Sequence, residues 1–249
     1  MEINKDFNIL FIQELPWLFI YNILSSFSKE GDKVVGTPNH PNWLTFLRPS
    51  SGIDNHLRVI LYINICLSHL HFSLQKDIFN HRDICCFSFF NNSDIFFMIN
   101  IYSDDCQSAS KYFKNTEANL YNILIMASNF NIRDSNWDMS YPFYLVYSDI
   151  LFNIADSFDL SLLSPVQQIP TQYSDNNNNT NLVTDLCFLY SNLIKLDNHI
   201  IFSELQYPSD HAPLVIDISI AEGFIQNKCH TIIKNSKEIK FLSQNSSAL

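Results

Sequence analysis

The sequence predicts an α/β protein built from two stacked, mixed β-sheets with helices on the outside. Apolar runs of strand length recur along the 249-residue chain, several of them rich in β-branched residues. The connections between them mix short hairpin-like links with longer crossover-like ones, which fits two mixed sheets better than one doubly wound parallel sheet. A composition of 47% hydrophobic and 16% charged residues supports a sizeable core and excludes global disorder. This length suits one domain, taken as residues 1–222, followed by a polar tail at 223–249, expected as a helix remnant or a frayed, disordered end.

Residues 7–12 form a short apolar run ending in Gln13-Glu14-Leu15-Pro16-Trp17, read as a buried strand that delivers Glu14 to a loop. Pro16 suits the first turn of a helix over 18–27. Residues 31–42, with Gly36, Pro38 and Pro41, read as a loop, and 43–47 as a strand. The β-branched stretch 57–65 is a further strand. Residues 83–90 and 94–102 are two strands joined by a turn at Asn91-Asn92-Ser93. A helix is expected over 108–118. The continuous apolar run 121–127 reads as a central strand feeding the loop Ser128-Asn129-Phe130-Asn131. Helical spacing marks 144–158. Short strands are expected at 160–163 and 167–171, separated by the low-complexity loop 175–179 from longer ones at 184–190, 199–205 and 213–220.

Net charge is −10, whereas nucleic-acid binders usually present a basic face. That argues against tight, autonomous DNA binding, although an acidic enzyme can still cut DNA in a metal-loaded cleft. Only 4 glycines make a glycine-rich phosphate cradle a poor fit. The six cysteines show no C-x-x-C pair and no zinc spacing, so a reducing compartment is the default. The best candidate for a membrane span, 57–74, carries Arg58, His69 and His71, and Glu14 spoils a signal peptide over 7–24. A soluble intracellular protein, nuclear or cytoplasmic, with no membrane partner is expected.

Five polar clusters fall at predicted strand ends. Taken singly, each has a plain structural reading. Glu14 suits a surface position, and Asp210-His211 a cap or turn. Asn129 and Asn131 could form an Asx turn, and Tyr102 is a common strand-end residue. Asp185 sits amid Leu182, Val183, Leu186 and Phe188, so it needs a partner: an imidazole N–H or backbone amides. Taken together, a His, carboxylates and amides at strand ends are what metal-assisted cleavage of a phosphodiester uses.

In order, the clusters resemble the motifs of the endonuclease/exonuclease/phosphatase (deoxyribonuclease I-like) superfamily. The likeness is greatest to the endonuclease domain of fungal LINE-type (non-LTR) retrotransposons. Gln13-Glu14-Leu15-Pro16-Trp17 resembles that family's Gln-Glu-Pro-Trp. Gly36-Thr37-Pro38-Asn39-His40-Pro41-Asn42-Trp43 is similar to Gly-Thr-x-x-His-Pro-x-Trp, and Arg58-Val59-Ile60-Leu61-Tyr62 to Arg-Val-x-x-Tyr. Asn100-Ile101-Tyr102-Ser103-Asp104 looks like Asn-x-Tyr-x-Asp, and Ser128-Asn129-Phe130-Asn131 with Trp137 like Gly-Asp-Phe-Asn…Trp. Thr184-Asp185-Leu186 and Ser209-Asp210-His211-Ala212-Pro213-Leu214 resemble the last two motifs, so the likeness spans roughly residues 7–220.

The resemblance implies a four-layer α/β/β/α sandwich and a Mg²⁺- or Mn²⁺-dependent endonuclease that nicks DNA. By resemblance, Glu14 and Asp210 would hold the metal. His211 would act as general base or phosphate-polarising group, oriented by Asp185. Tyr102 and Asn131 would contact phosphate oxygens. Two departures stand out. The family's Gly-Asp is Ser128-Asn129 here, replacing a carboxylate with an amide that is a far poorer proton acceptor. Superfamily members also begin with a strand ahead of the Glu14 strand, so the N-terminal strand is expected to be truncated, leaving a sheet edge exposed. Crippled activity, a catalytically dead remnant or interaction module, and a phosphodiesterase acting on a non-nucleic-acid phosphoester are the competing expectations. The reverse transcriptase domain that accompanies such endonucleases is absent from the chain.

Overall fold

The computed structural model of the chain describes residues 8–13, 41–46, 58–91, 94–104, 106–116, 122–138, 140–143, 146–163, 170–173, 182–190, 194–201, 211–212, 214–220 and 239–245. The apolar run Ile9–Gln13 forms β1, buried at every residue, as expected of a strand covered on both faces. Trp43–Phe46 is β2 and Val59–Asn64 is β3. A 3₁₀ helix follows at Ile65–Leu70, started by the Asn64 side chain accepting from the Cys66 N–H and closed by His71 at φ 50°. Then come β4 (Ser73–Leu74), β5 (Ile84–Asn91) and β6 (Asp94–Tyr102). Helix α1 is Ser108–Lys114, where Asp104 accepts the Ser108 N–H at 2.9 Å and Lys111 and Lys114 suit the negative end of the helix dipole.

Strand β7 (Ile123–Asn129) is buried throughout. In α2 (Val146–Ser157) the buried Ser148, Leu151, Ile154 and Ala155 make one stripe at helical spacing. The chain continues with β8 (Ser161–Leu162), β9 (Asp185–Leu189), β10 (Ile194–Ile201), β11 (Leu214–Ile220) and β12 (Ile239–Asn245).

The strands assemble into two six-stranded sheets, ordered β10-β11-β12-β1-β3-β2 and β4-β5-β6-β7-β9-β8. Each is mixed: β1/β12 and β6/β7 are parallel pairs and the other neighbours are antiparallel. Ile9, Phe11, Leu61 and Ile63 of the first sheet meet Phe87, Met98, Ala127 and Cys187 of the second in one apolar layer. The far face of the second sheet packs Ile99, Met126 and Phe188 against Phe113 of α1 and Leu151 and Ile154 of α2. The α/β sandwich of two mixed sheets predicted from sequence is therefore observed. The expected helix over 18–27 lies outside the described residues.

Three details differ from the sequence reading. β10 begins at Ile194, earlier than the expected 199. Of the candidate strand 167–171 the described part is not in a ladder; Gln172 makes isolated bridges to Leu182 and His211. The third difference is larger. β1 is not an open edge, because β12 lies beside it, from within the stretch read as a polar tail. Averaged with its Ser-, Asn- and Lys-rich flanks, that short segment looks polar, and its pairing partners lie far away in sequence.

Candidate functional site

Register brings the strand-end residues together. Tyr102 at the end of β6 lies opposite Asn129 of β7, and Asn129 lies opposite Asp185 of β9. Directly paired residues on adjacent strands share a face. Two residues earlier on β7 lies Ala127, part of the layer between the sheets, so the three open at one end of that layer. Asp185 Oδ2 is 2.8 Å from His211 Nδ1, and both side chains are almost fully buried. A carboxylate only accepts, so Nδ1 carries the proton, leaving Nε2 as the nitrogen that takes up or gives one.

The pair is held by Thr171, which the sequence reading missed. Its buried hydroxyl accepts the N–H groups of Thr184 and Asp185, each at 3.0 Å, and its carbonyl accepts the Ala212 N–H at 2.7 Å. One threonine thus ties the start of β9 to the residue after His211. A lone Thr in a loop carries no signal that could have announced this.

Asn129 and Asn131 form the Asx turn that the plain reading anticipates. Asn129 Oδ1 accepts the Asn131 N–H at 3.0 Å, with Asn131 at φ 49°. Asn131 Nδ2 donates to the Ser103 carbonyl at 2.8 Å, and Gln107 Nε2 donates to the Phe130 carbonyl at 2.9 Å, which anchors the loop on α1's first residues. Because Asn131 N–H needs an oxygen, the Asn129 amide cannot be flipped. Among the described residues its Nδ2 has no hydrogen-bond partner, and it is buried.

Tyr102 is pinned from the other side. Arg58 Cζ sits 4.5 Å from the Tyr102 ring centroid, and the Tyr102 N–H donates to the Asp83 carbonyl at 2.9 Å. Arg58 forks onto the fully buried Asp83, Nε to Oδ1 at 2.6 Å and Nη2 to Oδ2 at 2.5 Å, and also reaches Asp104 at 3.2 Å. Burial works against the guanidinium's charge, but Asp83 and Asp104 outweigh it and hold its pKa above the usual value. For Asp104, burial is outweighed by the Ser108 N–H and Arg58, so its carboxyl lies below the ordinary range. His81 is lowered by burial, and its Nδ1 accepts the Asp83 N–H at 3.2 Å, so the ring is neutral. Sequence reading quoted Arg58 within a motif but assigned it no role.

Asn100 staples the two sheets. Its oxygen accepts from Gln13 Nε2 at 2.7 Å, and its nitrogen donates to the carbonyls of Ile12 at 3.2 Å and Ile60 at 2.9 Å. Glu14 and Asp210 lie outside the described residues. Gln13, the end of β1, and Leu214, the start of β11, stand at the same end of the first sheet: Gln13 pairs with Asn245, and Leu214 with Ser243 of the same strand.

The endonuclease domain of TRAS1, described as a telomere-specific non-LTR retrotransposon, superposes with a TM-score of 0.58 at 15% identity, over 73% of this chain and 81% of that one. The two share the deoxyribonuclease I-like α/β sandwich fold. Other solved structures match as well. D. rerio TDP2 complexed with single-strand DNA product gives a TM-score of 0.46 at 11% identity, over 82% and 83% of the two chains. The human Nocturnin catalytic domain with bound sulfate gives 0.41 at 14%, over 72% and 73%. No protein-family model and no curated protein sequence matches the chain.

Within this deoxyribonuclease I-like fold, the described residues alone do not make a metal centre. No three His, Cys, Asp or Glu side chains among them gather closely enough to hold an ion. Asp185 is engaged by His211, and hard divalent cations favour carboxylate oxygens. A donor set would therefore have to draw on residues outside those described, where Glu14 and Asp210 lie. Among the described residues, no helix is long and apolar enough to cross a membrane.

Proposed function

We propose that this chain is a metal-dependent phosphodiester hydrolase of the DNA-nicking, retrotransposon-endonuclease type, impaired by Asn129. The observation that carries the reading is the buried Asp185–His211 pair, 2.8 Å apart, at the strand ends that also hold Tyr102 and Asn129. Asp185 keeps Nδ1 protonated and the ring oriented, so Nε2 can accept a proton from attacking water or steady a phosphate oxygen. Tyr102 and the second N–H of the Asn131 amide serve as donors to non-bridging oxygens, where stabilising developing charge contributes most. Glu14 and Asp210 would hold Mg²⁺ or Mn²⁺, which when bound would polarise the phosphate. DNA is the proposed partner, bound transiently because the chain carries a net charge of −10.

The buried donor of Asn129, without a partner among the described residues, favours a second reading, a remnant that keeps the fold without the chemistry. Activating water calls for a basic acceptor there, and the Asn129 amide oxygen, which already accepts the Asn131 N–H, is a far poorer proton acceptor than a carboxylate. Plasmid nicking with Mg²⁺ or Mn²⁺ separates the two. Asn129→Asp should raise nicking on the order of 10²-fold, and His211→Ala in that background should abolish the gain. If Asn129→Asp gains nothing and His211→Ala loses nothing, the hydrolase reading is wrong. Metal titration adds a second criterion: binding that is indifferent to Glu14→Gln favours the remnant.

A further inference from the structure

The first sheet is closed by the far end of the chain. β1 pairs in parallel with β12 from Ile9 opposite Phe241 to Gln13 opposite Asn245. On its other side β12 pairs antiparallel with β11, from Leu214 opposite Ser243 to Ile218 opposite Ile239. Without it the sheet would fall into two pieces, β10-β11 and β1-β3-β2, each with a bare edge. Those pieces lead to different parts of the candidate site. β1 runs directly into Glu14, whereas His211 precedes β11. β12 also lies across the sandwich from β7, the strand that ends in Asn129.

We infer that residues 239–245 are a positioning strand: they fix the spacing and register of β1 against β11, and so bring the end of β1 at Gln13 and the start of β11, just after His211, to one end of the sheet. Its consequence for catalysis rests on the function proposed above; its consequence for the sheet does not. The second sheet touches both pieces, through Asn100 on one, Asp185 on the other and the shared apolar layer, but forms no ladder that sets the register between them. Asn100 reaches only Gln13, Ile12 and Ile60, all on the β1-β3 side. On the other side the His211 segment is held to Thr171, Gln172 and Asp185, none of which is on β1 or β3. Among the described residues, β12 is the element of the first sheet that bonds to both pieces.

A protease recognition sequence inserted between β11 and β12 of the full chain allows the connection to be cut after folding. The released C-terminal fragment should co-elute with the body in gel filtration. Backbone amides of β1 and β11 should keep their hydrogen-exchange protection. Stripping the fragment in mild denaturant and removing the denaturant should make those amides exchange roughly tenfold faster or more, or leave a body that aggregates. A synthetic peptide of residues 236–249 should reverse either outcome. The same peptide with Leu242→Pro should not, because proline removes a ladder donor from a strand paired on both sides. Unchanged protection after stripping, or equal rescue by the proline peptide, would overturn the inference. Nicking by the Asn129→Asp chain is scored separately. No nicking in the intact protein counts against the hydrolase alone, and nicking that survives stripping counts against the positioning role.

Discussion

At the level of single residues, the strongest electrostatic arrangement lies beside the mouth rather than in it. Asp83 is fully buried and receives Arg58 through a two-point fork, with Arg82 a further 3.5 Å contact. A planar guanidinium held this way cannot rotate off the Tyr102 ring it covers, and a lysine could not reproduce the fork. Removing one member of a buried pair leaves the other without compensation. Asp83→Asn should therefore cost about 3 kcal/mol in urea unfolding, softened by the remaining contact to Asp104. A loss below about 1 kcal/mol would mean the pair is nearly neutral to stability.

Among the elements, the short segment 170–173 has an influence out of proportion to its length. It has no ladder of its own, yet Thr171 and Gln172 join the start of β9 to the His211 segment through hydroxyl, carbonyl and bridge contacts. Thr171→Val keeps the shape and removes the oxygen that accepts two buried N–H groups, at roughly 1–3 kcal/mol of desolvation cost apiece. Thermal unfolding should show a loss of about 2 kcal/mol or more, recovered by Thr171→Ser. Failure of serine to recover it would place the effect in packing of the methyl group.

Over the whole molecule, acid sensitivity follows from groups that resist protonation when folded. His81 is lowered from 6.5 by burial, so below about pH 6.5 the unfolded chain binds a proton that the folded chain refuses. Asp104 is lowered from 3.8, so its contribution is complete above that value and is lost as pH falls through its lower folded pKa. Both shifts therefore make stability fall as pH falls, first from His81 and then from Asp104. His81→Asn should flatten the decline in Tm between pH 7 and about pH 5 while leaving the steeper loss at lower pH. An unchanged slope in that window would assign the decline to other groups.

Much of the architecture was legible one segment at a time. Continuous apolar runs announced β1, β7 and β9, a 3.6-residue stripe announced α2, and a polar turn between two such runs announced the β5-β6 hairpin. Local physics suffices there, because alternation and burial are written in consecutive residues. The polar clusters were visible too, Asn129 among them. Other facts could not be read that way. Asp185 could have chosen backbone amides; only the approach of His211 across the sandwich decided its partner. Arg58 took Asp83, and Thr171 took two N–H groups of β9, through contacts between distant segments. The seven residues of β12 read as part of a polar tail until β1 and β11 stood apart by one strand's width. A strand between two others draws its stability from the edges it satisfies, and those edges belong to the rest of the chain.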